Sequence, residues 1–125
     1  MSIKQVVQLT ADDKDIYPVL SDTGWIDLPL QNGAVNQGTW ETAQYRKIGM
    51  IVYVKGLVTC VPDKVIAILP VGFRPKTRFT IASVGYNASS AQFVKLNVDS
   101  SGTIDFTATS GTYARSIKCS FPAEQ

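Results

Sequence analysis

Residues 44–61 read QYRKIGMIVYVKGLVTCV, a stretch rich in apolar and β-branched side chains. Within it, residues 48–55 are apolar at nearly every position, so both faces of an extended strand would be hydrophobic. Such a strand is usually central in a sheet and covered on both sides. A second strand, at 57–61, follows and is closed by Pro62 and Asp63. The stretch therefore predicts β-structure with a strand buried on two faces.

Strand and turn signals continue at intervals of roughly ten residues on both sides of this stretch. Asn32-Gly33 is a favoured tight-turn pair, residues 70–75 hold two prolines and a glycine, and residues 99–102 form a hairpin turn. Eight or nine short strands without a helical segment predict an all-β antiparallel sandwich or barrel. The further predicted strands cover residues 25–30, 39–47, 65–69, 79–84, 92–98, 103–107 and 113–121.

Composition agrees with a single β-domain. Val, Ile and Thr account for 34 of 125 residues, whereas Leu contributes 7 and Glu only 2. The chain has 45% hydrophobic and 18% charged residues, which is too apolar for disorder. It has no histidine, which removes His-based general bases, Ser–His and Cys–His nucleophiles and imidazole metal sites. Neither a cofactor nor a metal site is expected.

The chain carries no obvious targeting or membrane signal. Residues 1–4 lead to no apolar segment of the kind that secretion signals contain, and no apolar run approaches the roughly 20 residues of a membrane span. Cys60 and Cys119 both fall at strand positions, where a free cysteine behaves as a small buried hydrophobe; a disulfide between them is the alternative. We therefore expect a soluble protein made in a cytoplasm, without membrane insertion.

Charge divides the chain into two parts. Residues 1–24 have a net charge of −2, and the remainder has a net charge of +4. The first part is too short to hold a core of its own. We therefore predict an extended N-terminal arm at 1–24 that packs on its own domain or on a partner, followed by one domain at 25–125.

Enzymatic and nucleic-acid functions find little support. Asp99 and Asp105 flank a hairpin and could face each other as in glycoside hydrolysis, but turn formation and solvation explain them more simply. The serines have no base nearby, and the acidic residues at 12–15 lack the glycine and terminal glutamate of a calcium loop. The lysines are scattered without a basic run, which argues against nucleic acid. We predict no catalytic residues.

Aromatic residues beside polar loops suggest a carbohydrate site instead. A sugar ring stacks its C–H face on an aromatic ring, while amides, carboxylates and arginine bind its hydroxyls. Trp25 begins an apolar strand and is interpreted as a core or subunit-contact anchor; for Trp40, a core role and a binding role are both open. The candidate stacking residues are Trp40, Tyr86 and Tyr113, and the candidate hydroxyl partners are Glu41, Asn87, Asp99 and Arg115.

Three runs carry a family resemblance: WIDLPLQNG at 25–33, QYRKIGMIVYVKG at 44–56 and IAILPVGFRP at 66–75. In this order they resemble the C-terminal head domains of tailed-phage receptor-binding and minor tail proteins, best known from phages and prophages of Gram-positive bacteria. The resemblance covers about residues 25–121. Its most specific part is the LPVGFRP segment, a scaffold motif in which Arg74 is expected to pin a loop. Residues 6–10 and 15–19 are similar to the first residues of many phage tail proteins.

The resemblance implies a small antiparallel, jelly-roll-like β-barrel head that forms a homotrimer. It implies non-enzymatic attachment to a saccharide or polyol of the host cell wall, often near the subunit boundary. The protein would then lie in the virion, at the tail tip or baseplate, after assembly in the host cytoplasm. It would contact other tail or baseplate proteins.

Two features depart from the family pattern. Several family heads use a histidine in the sugar site, and this chain has none. Long stalk regions usually precede the head, whereas here the head begins at about residue 25. The alternative function is a structural tail, baseplate or decoration module that contacts only virion proteins; a phage glycan hydrolase using Asp99 and Asp105 is a third possibility.

Overall fold

The structure, a computed structural model, describes residues 9–11, 14–16, 21–61, 63–87, 90–107 and 113–124. Within these ranges the chain forms thirteen β-strands and no helix. The strands are β1 (Leu9–Ala11), β2 (Lys14–Ile16), β3 (Ile26–Asp27), β4 (Val35–Asn36), β5 (Gln44–Ile48), β6 (Ile51–Lys55), β7 (Leu57–Cys60), β8 (Ala67–Ile68), β9 (Phe79–Tyr86), β10 (Ala91–Val98), β11 (Thr103–Phe106), β12 (Tyr113–Ser116) and β13 (Cys119–Pro122).

The strands form three antiparallel sheets. A seven-stranded sheet has the order β4-β7-β12-β9-β10-β11-β8, a four-stranded sheet has the order β13-β6-β5-β3, and β1 pairs with β2. The two larger sheets share one hydrophobic core, to which β6 contributes Val52 and Val54 while β10 contributes Val94 and Leu96. This arrangement confirms the prediction of an all-β antiparallel fold. Among the described residues, no helix has the length and apolarity needed to cross a membrane.

The prediction of one strand at residues 48–55, covered on both faces, is wrong. Gly49 and Met50 form a two-residue turn, and Ile48 of β5 pairs with Ile51 of β6 across it. Val52 and Val54 are buried, whereas Tyr53 faces outward. The apolar pattern runs through the turn without a break, so alternation alone could not show where the chain reverses.

Residues 113–121, predicted as one strand, also divide between two sheets. β12 belongs to the seven-stranded sheet and β13 to the four-stranded sheet. The chain crosses between them at Ile117, whose N–H donates to the Gly56 carbonyl over 3.0 Å. Gly56 is also the point where β6 passes into β7, so two crossings meet at one corner. The alternation survives because Ile117 and Phe121 both still face the common core.

The proline-rich loop at residues 70–75 closes one part of the core. The Phe73 N–H donates to the Pro70 carbonyl over 3.1 Å, and the Phe73 ring meets Tyr45 edge-on with 5.1 Å between centroids. Arg74 Nε donates to the Leu69 carbonyl over 2.7 Å. This contact confirms that Arg74 pins the loop.

Both cysteines are free. Cys60 is buried, Cys119 is half-buried, and desolvation raises the pKa of the Cys119 thiol to about 12. Since the thiolate is the reactive form, the folded chain keeps Cys119 in its unreactive form near neutral pH. The prediction of two cysteines that behave as small core residues is confirmed.

Residues 21–23, the last part of the predicted arm, pair with the edge of the four-stranded sheet. Asp22 forms a bridge with Ile48, while Ile26 pairs with Tyr45. The five residues 22–26 therefore lie opposite the four residues 45–48, and one extra residue on one strand is the definition of a β-bulge. Gly24 accommodates it with a φ of 69°. Of the rest of the arm, the structure describes only β1 and β2.

We expect the bond between Asp22 and Arg46 to make stability depend on pH in the acid range. Arg46 donates to both Asp22 carboxylate oxygens, over 2.8 and 2.5 Å, which lowers the Asp22 pKa from 3.8 to about 2. Because the pKa of Asp22 is lower in the folded state, the salt bridge contributes fully to the free energy of unfolding above about pH 4. This contribution is lost as the pH falls through about 2. Between pH 5 and pH 2, the free energy of unfolding measured in urea should therefore fall less in Asp22→Asn than in the wild type. Equal pH dependence in the two proteins would contradict this assignment.

Candidate functional site

Trp40 and Tyr86 form the centre of the first candidate site. Their ring centroids lie 5.4 Å apart, with the ring planes tilted by 49°. Trp40, one of the two tryptophans in the chain, has a side chain that is 60% exposed. The two rings border a cavity of about 440 Å³. The residues that line this Trp40–Tyr86 cavity are Gln37, Trp40, Leu57, Thr59, Tyr86, Asn87 and Ala114.

Three adjacent strands of the seven-stranded sheet form the floor of this cavity. Ala114 of β12 pairs with Thr59 of β7 on one side and with Tyr86 of β9 on the other. These three residues therefore point to the same outer face of the sheet. Since the central residue is alanine, it leaves space between a hydroxyl and an aromatic ring.

The loop at residues 37–43 holds Trp40 above this floor. The Gln37 N–H donates to the Leu57 carbonyl, and the Leu57 N–H donates to the Glu41 carbonyl, each over 2.9 Å. At the end of the loop, the Ala43 N–H donates to Asn36 Oδ1 over 2.8 Å. Backbone bonds to β7 thus fix the loop on both sides of Trp40, which limits the motion of an exposed ring.

The chemistry of the Trp40–Tyr86 cavity suits an uncharged ligand rich in hydroxyl groups. Its polar side chains are the amides of Gln37 and Asn87, the Thr59 hydroxyl and the Tyr86 phenol, and none of the lining residues is charged. Asn87 closes a turn, in which its Oδ1 accepts from the Ser90 N–H over 2.9 Å. Two aromatic surfaces beside amides and hydroxyls can bind a saccharide by its C–H face and its hydroxyls.

A second cavity, of about 370 Å³, lies on the outer face of the four-stranded sheet. The Lys55 ammonium lies 4.3 Å from the centroid of the Trp25 ring, and the Arg46 guanidinium carbon lies 5.6 Å from it. Glu41 and Lys118 face each other over 3.8 Å. The residues that line this Trp25–Lys55 cavity are Trp25, Glu41, Tyr53, Val54, Lys55, Lys118, Cys119 and Ser120.

The structure brings some of the predicted site residues together and separates others. Trp40, Tyr86 and Asn87 share one cavity, while Glu41 borders the other. Asp99 directly follows β10, eight residues after Ala91, the partner of Tyr86, and therefore lies roughly 25 Å from that cavity. Tyr113 pairs with Cys60 through its backbone, and its side chain is outside the described part of the chain.

The prediction that Arg115 binds a hydroxyl of the ligand is wrong, because Arg115 belongs to the core. Its side chain has 0% exposure, and its Nη1 donates to the Cys60 carbonyl over 2.6 Å. The guanidinium carbon also lies 5.7 Å from the centroid of the Phe106 ring. A surface ligand does not reach it there. The sequence did indicate this position, because Arg115 alternates in step with Ile117 and Phe121, which both face the core.

Asp99 and Asp105 form part of a polar network on the hairpin of β10 and β11. The Arg78 guanidinium lies 3.9 Å from Asp99 and 4.0 Å from Asp105. Asn97 is buried and donates to Asp105 Oδ1 over 2.7 Å. These contacts give both carboxylates a structural role. Within the described ranges, no three acidic or thiol side chains come together as a possible metal site.

Sequence reasoning missed residues in both cavities. Thr59, Leu57 and Ala114 are unremarkable in sequence and meet Trp40 only through the pairing of strands that are distant along the chain. Trp25 begins an apolar strand, yet its side chain is 40% exposed beside Lys55. The alternation of Tyr53 and Lys55 on β6 was a usable sign of an outer face that includes a cation and an aromatic ring.

Comparisons with known proteins give a structural relationship. The chain matches no protein-family model and no curated protein. The described fold is similar to the crystal structure of the head domain of phage bIL170, which was solved in the context of a common fold for the receptor-binding domains of lactococcal phages. The TM-score is 0.61 at 20% sequence identity, over 80% of this chain and 97% of that domain. The β-fold that the sequence resemblance implies is therefore confirmed: this chain has the fold of a phage receptor-binding head domain.

Proposed function

We propose that the chain is the receptor-binding head of a tailed phage, and that it attaches to a saccharide of the host cell wall through the Trp40–Tyr86 cavity. The observation that carries this proposal is an exposed indole 5.4 Å from a second aromatic ring, beside two amides and a hydroxyl, on the fold of a receptor-binding head. Exposed aromatic pairs of this kind bury apolar area when a sugar ring covers them. The protein would accordingly be part of the virion tail, assembled in the host cytoplasm.

Attachment without catalysis is part of the proposal. The chain has no histidine, both carboxylates of the β10–β11 hairpin face the Arg78 guanidinium, and Asp105 also accepts a hydrogen bond from Asn97. A hydrolase of this type needs a pair of carboxylates that flank the scissile bond. We expect the bound saccharide to be released unchanged in length, which size-exclusion chromatography of the recovered saccharide would test.

The direct experiment measures binding of the purified chain to host cells and to their purified cell-wall polysaccharide. Saturable binding to both, competed by the free polysaccharide, is the expected result. A folded protein that binds neither would overturn the proposal and favour the alternative function, a structural module of the tail. In that case removal of residues 1–20 should abolish incorporation into virions, since the arm would supply the contact with other tail or baseplate proteins.

We further propose that the head associates with copies of itself as a homotrimer. Phe93 of β10 is 62% exposed and pairs directly with Val84 of β9, which is also exposed. The small residues Ala82 and Ala91 lie beside them around a shallow cavity of about 400 Å³. An exposed apolar strip on the outer face of a sheet is suited to contact with another subunit, and a trimer would add avidity to weak single sites.

Phe93→Asp should convert the trimer into monomers, because a carboxylate in an apolar contact loses its hydration without a partner. Light scattering should give three times the 13.6 kDa of one chain for the wild type and a single chain mass for the variant. Val71→Asp is the matched control, because Val71 is 77% exposed on the loop at 70–75, away from this strip. A wild type of single-chain mass would contradict the trimer, and an unchanged mass in Phe93→Asp would contradict the surface.

A further inference from the structure

The Trp25–Lys55 cavity differs in chemistry from the Trp40–Tyr86 cavity. Two lysines and one glutamate line it, which leaves one net positive charge. Its other polar side chains, Tyr53 and Ser120, are directly opposed on β6 and β13 and can both donate hydrogen bonds. A cavity in which two ammonium groups and two hydroxyls accompany a single carboxylate is suited to an anion rather than to a cation.

Lys55 is the group best placed to meet that anion. Its ammonium lies 4.3 Å from the Trp25 centroid, so the indole fixes the position of the charge while leaving its N–H groups available. In contrast, Arg46 is bonded to Asp22 and Lys118 faces Glu41. Within the described part of the chain, Lys55 forms no ion pair with a carboxylate. A half-buried cation of this kind gains from an anionic ligand.

The two cavities are neighbours on either side of the same loop. Trp40 lines one and the adjacent Glu41 lines the other. Across the Gly56 corner, Leu57 lines the first and Lys55 the second, and two residues of chain separate their Cα atoms by about 7 Å at most. One extended ligand can therefore reach both cavities.

We propose that the Trp25–Lys55 cavity binds an anionic group, a carboxylate or a phosphate, on the same saccharide chain whose neutral part occupies the Trp40–Tyr86 cavity. This inference rests on the proposed function. It makes the receptor a saccharide with acidic substituents and at least two sugar units. Lys55 and the hydroxyls of Tyr53 and Ser120 hold the anion, while Glu41 opposes it.

The experiment uses the two tryptophans as separate reporters, since each cavity contains one. The full chain is labelled with fluorotryptophan, the two NMR signals are assigned with Trp25→Phe and Trp40→Phe, and the protein is titrated with glucuronate, glycerol phosphate and glycerol. The two anions distinguish a carboxylate ligand from a phosphate ligand. We expect at least one of them to move the Trp25 signal saturably, while glycerol leaves that signal in place.

Removing a positive charge and removing a negative charge from the Trp25–Lys55 cavity should have opposite effects on anion binding. Lys55→Met keeps an unbranched side chain over Trp25 and should weaken anion binding about tenfold. Glu41→Gln should strengthen it several-fold because a repulsive charge is removed. Lys64→Met, at an exposed turn position that lines neither cavity, should leave it unchanged. Thermal unfolding shows whether each variant is folded, and the wild-type titration needs no variant.

The result that overturns this inference is a Trp25 signal that neither anion moves, or equal anion affinity in Lys55→Met and the wild type. Titration with host cell-wall polysaccharide separates this failure from failure of the proposed function. Movement of the Trp40 signal alone would remove the second subsite and leave the receptor-binding function intact. Movement of neither signal by the polysaccharide would remove both proposals, whereas movement of both signals supports them together.

Discussion

Trp40→Ala should weaken binding of a soluble cell-wall saccharide by about 2 kcal/mol, or roughly 30-fold in Kd. The indole is 60% exposed, stands 5.4 Å from Tyr86 and is held by a loop that is bonded to β7 on both sides. Removing it takes away a rigid stacking surface and leaves the sheet below open to water. Isothermal titration with a monovalent saccharide fragment measures this effect without avidity.

Two further variants show whether the effect comes from stacking. Trp40→Phe keeps a smaller aromatic ring and should lose only part of the affinity, while Tyr86→Ala should lose an amount similar to that of Trp40→Ala. Val71→Ala, at an exposed apolar position on the loop at 70–75, should bind as the wild type does. Equal affinities for Trp40→Ala and Val71→Ala would place the saccharide elsewhere on the head.

Gly56→Ala should reduce the free energy of unfolding by about 3 kcal/mol or more. A Cβ at Gly56 would lie 2.7 Å from the Ala43 Cα and 3.0 Å from the Ala43 nitrogen, and both are backbone atoms. Gly56 also has a φ of 144°, which side chains rarely permit. Because the Ile117 N–H is bonded to the Gly56 carbonyl, relief of the clash would disturb both crossings between the sheets.

Gly72→Ala is the matched control for this effect. Gly72 also has a positive φ, of 95°, but a Cβ there would meet no atom within 4 Å. It should therefore show only the cost of backbone strain, about 1 kcal/mol. Urea unfolding of both variants gives two losses in the free energy of unfolding, and their difference measures the clash between a Cβ at residue 56 and the Ala43 backbone. Equal losses in the two variants would contradict the role of the Gly56 corner.

The faces of individual strands could be predicted from the sequence because side chains alternate with a period of two. Leu28 is buried and Ile26 and Leu30 pack against the core, as the alternation predicts. The turn at Asn32 and Gly33 has positive φ at both residues, as the pair indicates. These properties depend on a few neighbouring residues, so a local pattern is sufficient to identify them.

The partners of each strand could not be predicted in this way. Trp40 and Tyr86 were each identifiable as an aromatic residue beside a polar loop, but their contact depends on β7, β12 and β9 lying side by side. The position of Arg115 was predicted wrongly because of its charge. Its charge predicted a position on the surface. In the structure, a hydrogen bond to the Cys60 carbonyl and a cation–π contact with the Phe106 ring allow it to remain in the core.

Titration of the wild type and of Trp40→Ala with purified cell-wall polysaccharide of the host is the most direct test of saccharide binding in the Trp40–Tyr86 cavity. We expect saturable binding by the wild type and a loss of affinity of roughly 30-fold or more in the variant, with thermal unfolding unchanged. A folded wild type that does not bind the polysaccharide would contradict it, and so would binding that Trp40→Ala and Tyr86→Ala both leave unaltered.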